Sequence, residues 1–552
     1  YKPFTFLELD YKFGIDNYVD DFDDFVSYQL NSLTPNSVLA PGNGSISKIN
    51  ANETWMNSIL SAFVRLDFEK DLNINIPLTS TTHLAYDYRD KQYRSISASG
   101  TGFAPYPPTT ISTAASRSSS DNIEDFTTFG YLINQRFDYG NLFGLSAGFR
   151  SDYSSAFGRG SKPFTFPRGD LYFRISELLK NTNVLRELKV RSAYGKAGVQ
   201  PGAYQRQITL ASGTYGTNGY LASNTGASNP DLDVIVSSEF EAGADAVVKL
   251  GENAFSNIRL SATYWTKKST GTIRAIDLAP SSGALTFVTN ALDLESDGFQ
   301  FSLDADILKK RNFEWDFGVR FGKSKTFVDK IINGKDIALG ATGGGEFVLR
   351  EGTSVGSMFG VKPLTSLTEA NSKGVRYIAD ADLANYEVVN GYVVNKTTRA
   401  VSFTNEKQHI GDPNPKFNMT FLSNMTILKN FGLSFQIDWI YGNKIYNQTR
   451  QWMYRDLIHS DFDKEVTING QTGAFVNYYS SMYLTNNTNS IFVEDGSFVR
   501  LRDLTLTYYL GDVLKKMPFL KNADISITGR NLFTITDYNG MDPEAAAAFN
   551  NP

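Results

Sequence analysis

The chain has 552 residues, of which 41% are hydrophobic and 13% aromatic, and 53 Lys and Arg against 58 Asp and Glu leave a net charge of −5. So varied and apolar a composition excludes a disordered polymer, and no block of Lys or Arg forms the basic footprint of a nucleic-acid binder. Cysteine is absent, which excludes disulfide frameworks, thiolate metal sites and cysteine nucleophiles and is compatible with passage through an oxidising periplasm.

Mean hydropathy is −0.27, and no stretch approaches the ~20 apolar residues of a membrane-crossing helix. A helical membrane protein is therefore not expected, whereas a barrel is open. The chain begins at Tyr1 without a signal peptide, so the residues are read as a portion of a longer precursor.

Near the start, Asp20, Asp21, Asp23 and Asp24 lack the DxDxDG frame of a calcium loop and read as a solvated acidic loop. The first clear period of two is Phe129, Tyr131, Ile133 and Phe137; after a turn at Tyr139-Gly140-Asn141 it resumes as Phe143, Leu145, Ala147, Phe149. Arg168-Gly169-Asp170 matches an adhesion tripeptide and is read as a turn entering a strand, and Ile175 to Lys180 as a short helical piece. Phe299, Phe301, Leu303, Ala305, Ile307 alternate with Gln300, Ser302, Asp304, Asp306, turn at Lys309-Lys310-Arg311-Asn312, and continue as Phe313, Trp315, Phe317, Val319, Phe321. Gly322-Lys323-Ser324 superficially resembles a phosphate loop but sits on this strand.

Gly352-Thr353-Ser354-Val355-Gly356 fits a nucleophile elbow, yet no helical pattern follows it. A third hairpin runs from Phe417, Met419, Phe421 and Met425 through Lys429-Asn430 to Phe431, Leu433, Phe435, Ile437, Trp439, Tyr441. Residues 204–231, 333–357 and 466–490 read as long polar loops, and His83, His409 and His459 have no metal-ligand spacing.

Strands of ~10 residues, apolar on one face, with short turns at one end and long loops at the other, are the pattern of an all-β, transmembrane antiparallel β-barrel. Lipid cannot satisfy backbone N–H and C=O groups, so a spanning sheet must close and leave no edge. A soluble β-sandwich or propeller has the same alternation and remains the alternative. Loop aromatics suit sugar or peptide contact, which makes Tyr106, Tyr215, Tyr220, Trp452, Tyr454, Tyr478, Tyr479 and Tyr483 the candidate contacts to substrate or partner. No catalytic, metal or cofactor residues are expected.

Near the C-terminal end, Val493-Glu494-Asp495-Gly496-Ser497-Phe498-Val499-Arg500-Leu501-Arg502-Asp503-Leu504-Thr505-Leu506-Thr507-Tyr508 resembles the "DGSFxRLRxLxLxY" strand of SusC/RagA-type TonB-dependent transporters. Gly529-Arg530-Asn531-Leu532-Phe533-Thr534 with Tyr538-Asn539-Gly540-Met541-Asp542-Pro543-Glu544 resembles that family's "GRNLFTxTxYxGxDPE" segment. Arg150-Ser151-Asp152, Leu188 to Gly195, Asn229-Pro230-Asp231-Leu232 with Glu239, and Ile410 to Phe417 add shorter matches, so the likeness runs over roughly residues 80–544. Gly496, Gly529 and Gly540 suit bends or close approach, and Asp542-Pro543 a turn.

The resemblance implies a barrel of about 22 strands in the complete protein, lying in the outer membrane of a Gram-negative, Bacteroidetes-type bacterium. Residues 1–552 would then be most of the barrel. The plug and TonB box, and the closing strand expected after the "DPE" segment, are absent from the given residues. It further implies import of an oligosaccharide or oligopeptide with no reaction of the chain's own and no cofactor. TonB and its ExbB/ExbD motor would drive it, a SusD-like surface lipoprotein would act as lid, and outer-membrane lipid would surround it, with a dimer of transporter–lipoprotein pairs as a further arrangement. A lidless receptor for a siderophore or vitamin and a soluble glycan-binding β-protein are the alternative functions.

Overall fold

The computed structural model describes residues 1–27, 44–103, 107–157, 162–179, 183–342, 345–485, 487–511 and 523–546. Its main element is an antiparallel sheet of 16 strands that follow one another in chain order. Fifteen of them form the path of the sheet: β1 Leu7–Val26, β2 Ser45–Asp67, β3 Leu78–Thr101, β4 Ser116–Tyr139, β5 Phe143–Ser154, β6 Phe164–Arg174, β7 Leu185–Val199, β8 Ile235–Val248, β9 Ile258–Asp277, β10 Thr286–Lys310, β11 Phe313–Ile331, β12 Phe417–Ile427, β13 Phe431–Tyr441, β14 Phe498–Tyr509 and β15 Asp524–Thr536. The sixteenth is the pair Gly226–Ala227, parallel to the start of β10.

The three hairpins read from the sequence are β4–β5, β10–β11 and β12–β13, the second with a bulge between Asp306 and Leu308. Leu428 and Lys429 between β12 and β13 take φ of 52° and 67°, the left-handed backbone that a tight hairpin connection needs. Two readings are corrected. Asp20, Asp21, Asp23 and Asp24 lie on β1 rather than in a loop, with Asp23 2.5 Å from Lys48 on β2. Arg168-Gly169-Asp170 lies inside β6, not in a turn before it, and Asp170 accepts from Arg136 (3.2 Å) and from the Ser146 hydroxyl. The helical piece near 175 is one 3₁₀ turn, Ile175–Glu177.

Contacts divide the chain into two units. The first comprises Tyr1–Leu171, Tyr194–Val236 and Ile273–Asn290, and the second Tyr172–Ala193, Ser237–Thr272 and Ala291–Pro552. In the first, the outward members of β4 and β5, such as Tyr131, Ile133, Leu145 and Phe149, stay exposed while Gly144 and Ser146 between them are buried. Large apolar side chains in the open along a strand are what lipid-facing positions require, and the opposite of a sandwich, whose apolar faces meet in a core. The polar face is cross-linked instead: Asp87 accepts from Arg89 (3.2 Å) and Arg150 (2.9 Å), and Arg150 also reaches Asp152 (2.7 Å). The Arg150-Ser151-Asp152 motif is thus part of a wall-bracing network.

In the second unit the same face carries Arg191 with Asp245 (3.1 Å), Lys268 with Glu295 (2.6 Å) and Asp329 (2.8 Å), and Arg320 with Asp304 (2.6 Å). Strands β14 and β15 are bulged. Arg502 has no counterpart on β13, and it opposes Asn531 and Leu532 on β15, where Asn531 takes φ 51°. An extra residue re-aims side chains, and Arg502 reaches both Asp438 on β13 (2.7 Å) and Asn531 (3.2 Å).

Candidate functional site

The polar stretches between strands are built rather than open. Residues 204–231 contain an exposed hairpin, Leu210–Tyr215 with Asn218–Ser223. The insertion between β11 and β12 holds a four-stranded sheet, Ile337–Thr342, Gly345–Leu349, Met358–Gly360 and Gln408–Gly411, plus the hairpin Tyr386–Val389 and Tyr392–Asn395. The insertion between β13 and β14 holds α1, Gln448–Arg455, and α2, Val476–Ser480.

The two insertions share one hydrophobic core. Phe347, Met358, Val389, Val394 and Val401 come from the first; Tyr446, Tyr454, Val466, Ile468, Tyr478, Tyr479, Met482 and Phe492 come from the second. Backbone hydrogen bonds join them: Val361 N–H donates to Thr488 O (2.9 Å) and Ser490 N–H to Val361 O (3.1 Å). At this junction Gly360 has no room for a side chain, since a Cβ there would lie 2.8 Å from the Thr488 carbonyl carbon. Gly360→Ala is therefore expected to cost about 1–3 kcal/mol through overpacking, seen as faster amide exchange of residues 358–361 and 488–490 with the sheet unchanged.

The elbow-like Ser354 is buried, and it accepts a hydrogen bond from Asn414 Nδ2 (3.0 Å) while facing Thr326 O. Strand Met358–Gly360, not a helix, follows it, so it has neither the exposure nor the setting of a nucleophile.

The sequence candidates separate by burial. Tyr106 lies outside the described residues. Tyr215 is 85% exposed and Tyr220 lies across Gly213 on the same hairpin. Trp452 is exposed on α1 beside Arg455 (5.5 Å). Tyr454, Tyr478 and Tyr479 are buried in the loop core, and Tyr483 packs half-buried against it. The first three rings pack the loop core, and alternation in a polar stretch says nothing about which ring a local core claims. Burial pushes the Tyr478 phenol up to about 12.

Beside this core lies a cleft of about 1000 Å³, walled by α1, the turn Ser460–Asp463 and the strap Tyr538–Asp542 that follows β15. Asn447 caps α1, accepting from Arg450 N–H (2.9 Å) and donating through Nδ2 to Glu494 (3.2 Å). Arg450 on the next turn reaches the same carboxylate (3.1 Å), and Asn539 N–H on the strap donates to its other oxygen (2.9 Å). Glu494 thus fastens helix and strap together.

On the far wall, Asp461 accepts from Tyr454 Oη and from Lys464 Nζ (2.6 Å), and His459 Nδ1 accepts from Asp461 N–H (3.1 Å). Burial pushes the His459 imidazole down, keeping it neutral near pH 7. Burial also works against ionisation of Asp461, but the donors Lys464 and Tyr454 outweigh it and hold its carboxyl below the ordinary range. A carboxyl depressed on folding stabilises fully above its unfolded value of about 4 and loses that effect as pH falls through the folded value. Resistance of the loop core to protease should hold from about pH 7 to 5 and fall below about pH 4; Asp461→Asn should show the weakened state already at neutral pH.

The strap is held from below. Arg500 bonds Asp542 (2.6 Å), Glu544 (2.6 Å) and Thr534 (2.8 Å), while Arg502 bonds Glu544 (2.8 and 2.9 Å). The two long C-terminal motifs are one ion-paired clasp. Two smaller hollows lie on the polar face of the second unit, of 470 Å³ beside Gln436, Arg502 and Asn531 and of 450 Å³ beside Arg191, Arg320 and Asn418.

The family described as "TonB dependent receptor-like, beta-barrel" matches residues 3–532. The chain belongs to this family. Its match extends further toward the start than the motifs from residue 80 onward implied. TonB-dependent receptor P3 of Formosa agariphila is 26% identical over 432 residues, 74% of this chain and 41% of that protein. TonB-dependent receptor SusC of Bacteroides thetaiotaomicron is 22% identical over 72% of this chain and 39% of its own length. The chain thus spans about two fifths of the curated relatives it matches. Among solved structures, the RagAB peptide transporter aligns over 99% of this chain and 58% of its own with a TM-score of 0.74 at 17% identity, a likeness of fold. The TonB-dependent receptor barrel fold is the architecture expected from the sequence.

Proposed function

We propose that the chain is the barrel portion of an outer-membrane importer that takes up an oligosaccharide or oligopeptide under TonB control. The observation that carries this reading is the family match over residues 3–532, joined by the fold of the RagAB peptide transporter. Exposed apolar side chains along the strands suit lipid, and the folded insertions suit a binding platform at the long-loop end, which is extracellular in barrels of this type. On this reading TonB with ExbB/ExbD acts through a part of the protein beyond these residues. A SusD-like lipoprotein closes over the loops, and two such pairs associate. Tyr215 and Tyr220, exposed on the hairpin within residues 204–231, and Trp452, exposed on α1, are the aromatic contacts to cargo or lid. The relatives in Formosa and Bacteroides support a Bacteroidetes-type outer membrane.

The test is purification of the full-length protein from detergent-solubilised outer membranes, with mass spectrometry of what accompanies it, and uptake assays with and without TonB. A stoichiometric SusD-like lipoprotein and uptake abolished without TonB are expected. A lone barrel would point to a lidless receptor for a siderophore or vitamin, and TonB-independent uptake would overturn the proposal.

A further inference from the structure

We infer that the cleft between α1, the Ser460–Asp463 turn and the Tyr538–Asp542 strap is a binding subsite for a neutral saccharide, an inference that rests on the importer reading. The charges that line it are two cations, Arg450 and Lys464, and two carboxylates, Asp461 and Asp542. Each already has a partner: Arg450 has Glu494 at 3.1 Å, Lys464 and Asp461 hold each other at 2.6 Å, and Asp542 has Arg500 at 2.6 Å. The imidazole of His459 is kept neutral by burial.

A charged ligand entering this cleft would compete for a group already held in one of these pairs. Arg500, Glu494 and Asp461 are 3%, 7% and 15% exposed, so the group left behind would be a mostly buried charge short of one ionic partner. A neutral ligand disturbs none of them.

What the cleft does offer is uncharged hydrogen bonding. The hydroxyls of Thr449, Ser460 and Tyr538 and the amide of Asn539 line it and make no side-chain hydrogen bond within the described residues. Each can both donate and accept, as can every hydroxyl of a sugar ring. The ring of Tyr538 lies over Gly540, where any Cβ would collide with it, so the strap's glycine leaves the room the ring occupies. Met453 and Met541 add soft apolar surface. Flat and apolar groups beside both-way hydrogen-bonding groups match a ring with C–H faces and hydroxyl edges. The volume of about 1000 Å³ is at the upper end of small-ligand pockets, about 300–1,000 Å³, and takes several sugar rings.

The experiment uses the full-length protein in detergent with whatever lipoprotein purifies with it. The probes are an array of neutral oligosaccharides from hexose and pentose polymers and a matched array of short charged peptides. Saccharide binding is expected, with an affinity that changes less than about twofold between 50 mM and 500 mM salt, because no ion pair forms. The Thr449→Val, Asn539→Leu double variant should weaken it about 10- to 100-fold, the loss of one to two hydrogen bonds. Val375→Ala, exposed on the first insertion and outside the lining of the cleft, serves as a variant that leaves the cleft unchanged. Retention of peptides instead of saccharides, an affinity that falls steeply with salt, saccharide binding indifferent to the double variant, or no saccharide binding at all would each overturn the inference. Any of these with TonB-dependent uptake intact removes the subsite alone, whereas uptake that persists without TonB removes the importer reading beneath it.

Discussion

Replacing Arg500 with Met should release the strap. The guanidinium is 3% exposed and bonds Asp542, Glu544 and Thr534 at once, so its loss removes the cation that joins the two carboxylates, of which Glu544 keeps Arg502. Breaking a fully buried pair costs about 3–5 kcal/mol. Both carboxylates here are about two-fifths exposed, and solvent reduces the figure to about 2–3 kcal/mol. Amide exchange of residues 538–546 should accelerate about 30- to 150-fold, while β10 to β13 keep their protection. Arg500→Lys should recover little of this, because an ammonium cannot span two carboxylates with a planar fork. Exchange of the strap unchanged in Arg500→Met would show that the clasp does not hold it.

Phe492→Ala should open the loop core and leave the sheet standing. Phe492 is wholly buried, with Tyr454 edge-on at 5.3 Å and Tyr446 at 6.3 Å. Truncating such a phenylalanine costs about 3–5 kcal/mol, part lost burial and part cavity. Limited proteolysis of the folded protein should then cut within residues 361–407 and 442–497, with barrel-type heat modifiability on gels retained. Trp452→Ala, on the exposed side of α1, should fall within about 0.5 kcal/mol of the parent. Equal sensitivity of the two variants would mean that Phe492 does not carry the core. The Tyr478→Ala, Tyr479→Ala pair should behave like Phe492→Ala, since both rings are buried in the same core.

The strands were the legible part of this protein because their signal is local. Phe299 to Phe321 alternates with a period of two, and a one-residue slip would move every apolar side chain to the wet face, so pattern and register are the same information. The loop core has no such period. Its members come from residues up to 145 apart, Phe347 to Phe492, and nothing nearby in sequence marks Tyr478 as buried and Tyr215 as exposed. The cleft was hidden for a related reason. Its strap was visible as a motif, with Gly540 read as a bend or close approach and Asp542-Pro543 as a turn, and its opposite wall at Arg450 and Asp461 lies some eighty residues earlier. Asp20 to Asp24 misled because a carboxylate run is compatible with a strand whose flanks reach water, as β1 does.

The shared core of the two insertions constrains how the protein can diversify. Val361 and Asn489 form a bridge between them, and Arg399 lies 3.9 Å above the Phe475 ring across the same junction. An exchange of one insertion with a relative would strand half a core against a foreign surface, so each is a poor unit of recombination by itself. The pair, inherited together around an unchanged β12–β13 hairpin, is the smallest cassette that can be swapped, and covariation among relatives should appear between residues 332–416 and 442–497 before it appears between either segment and the wall.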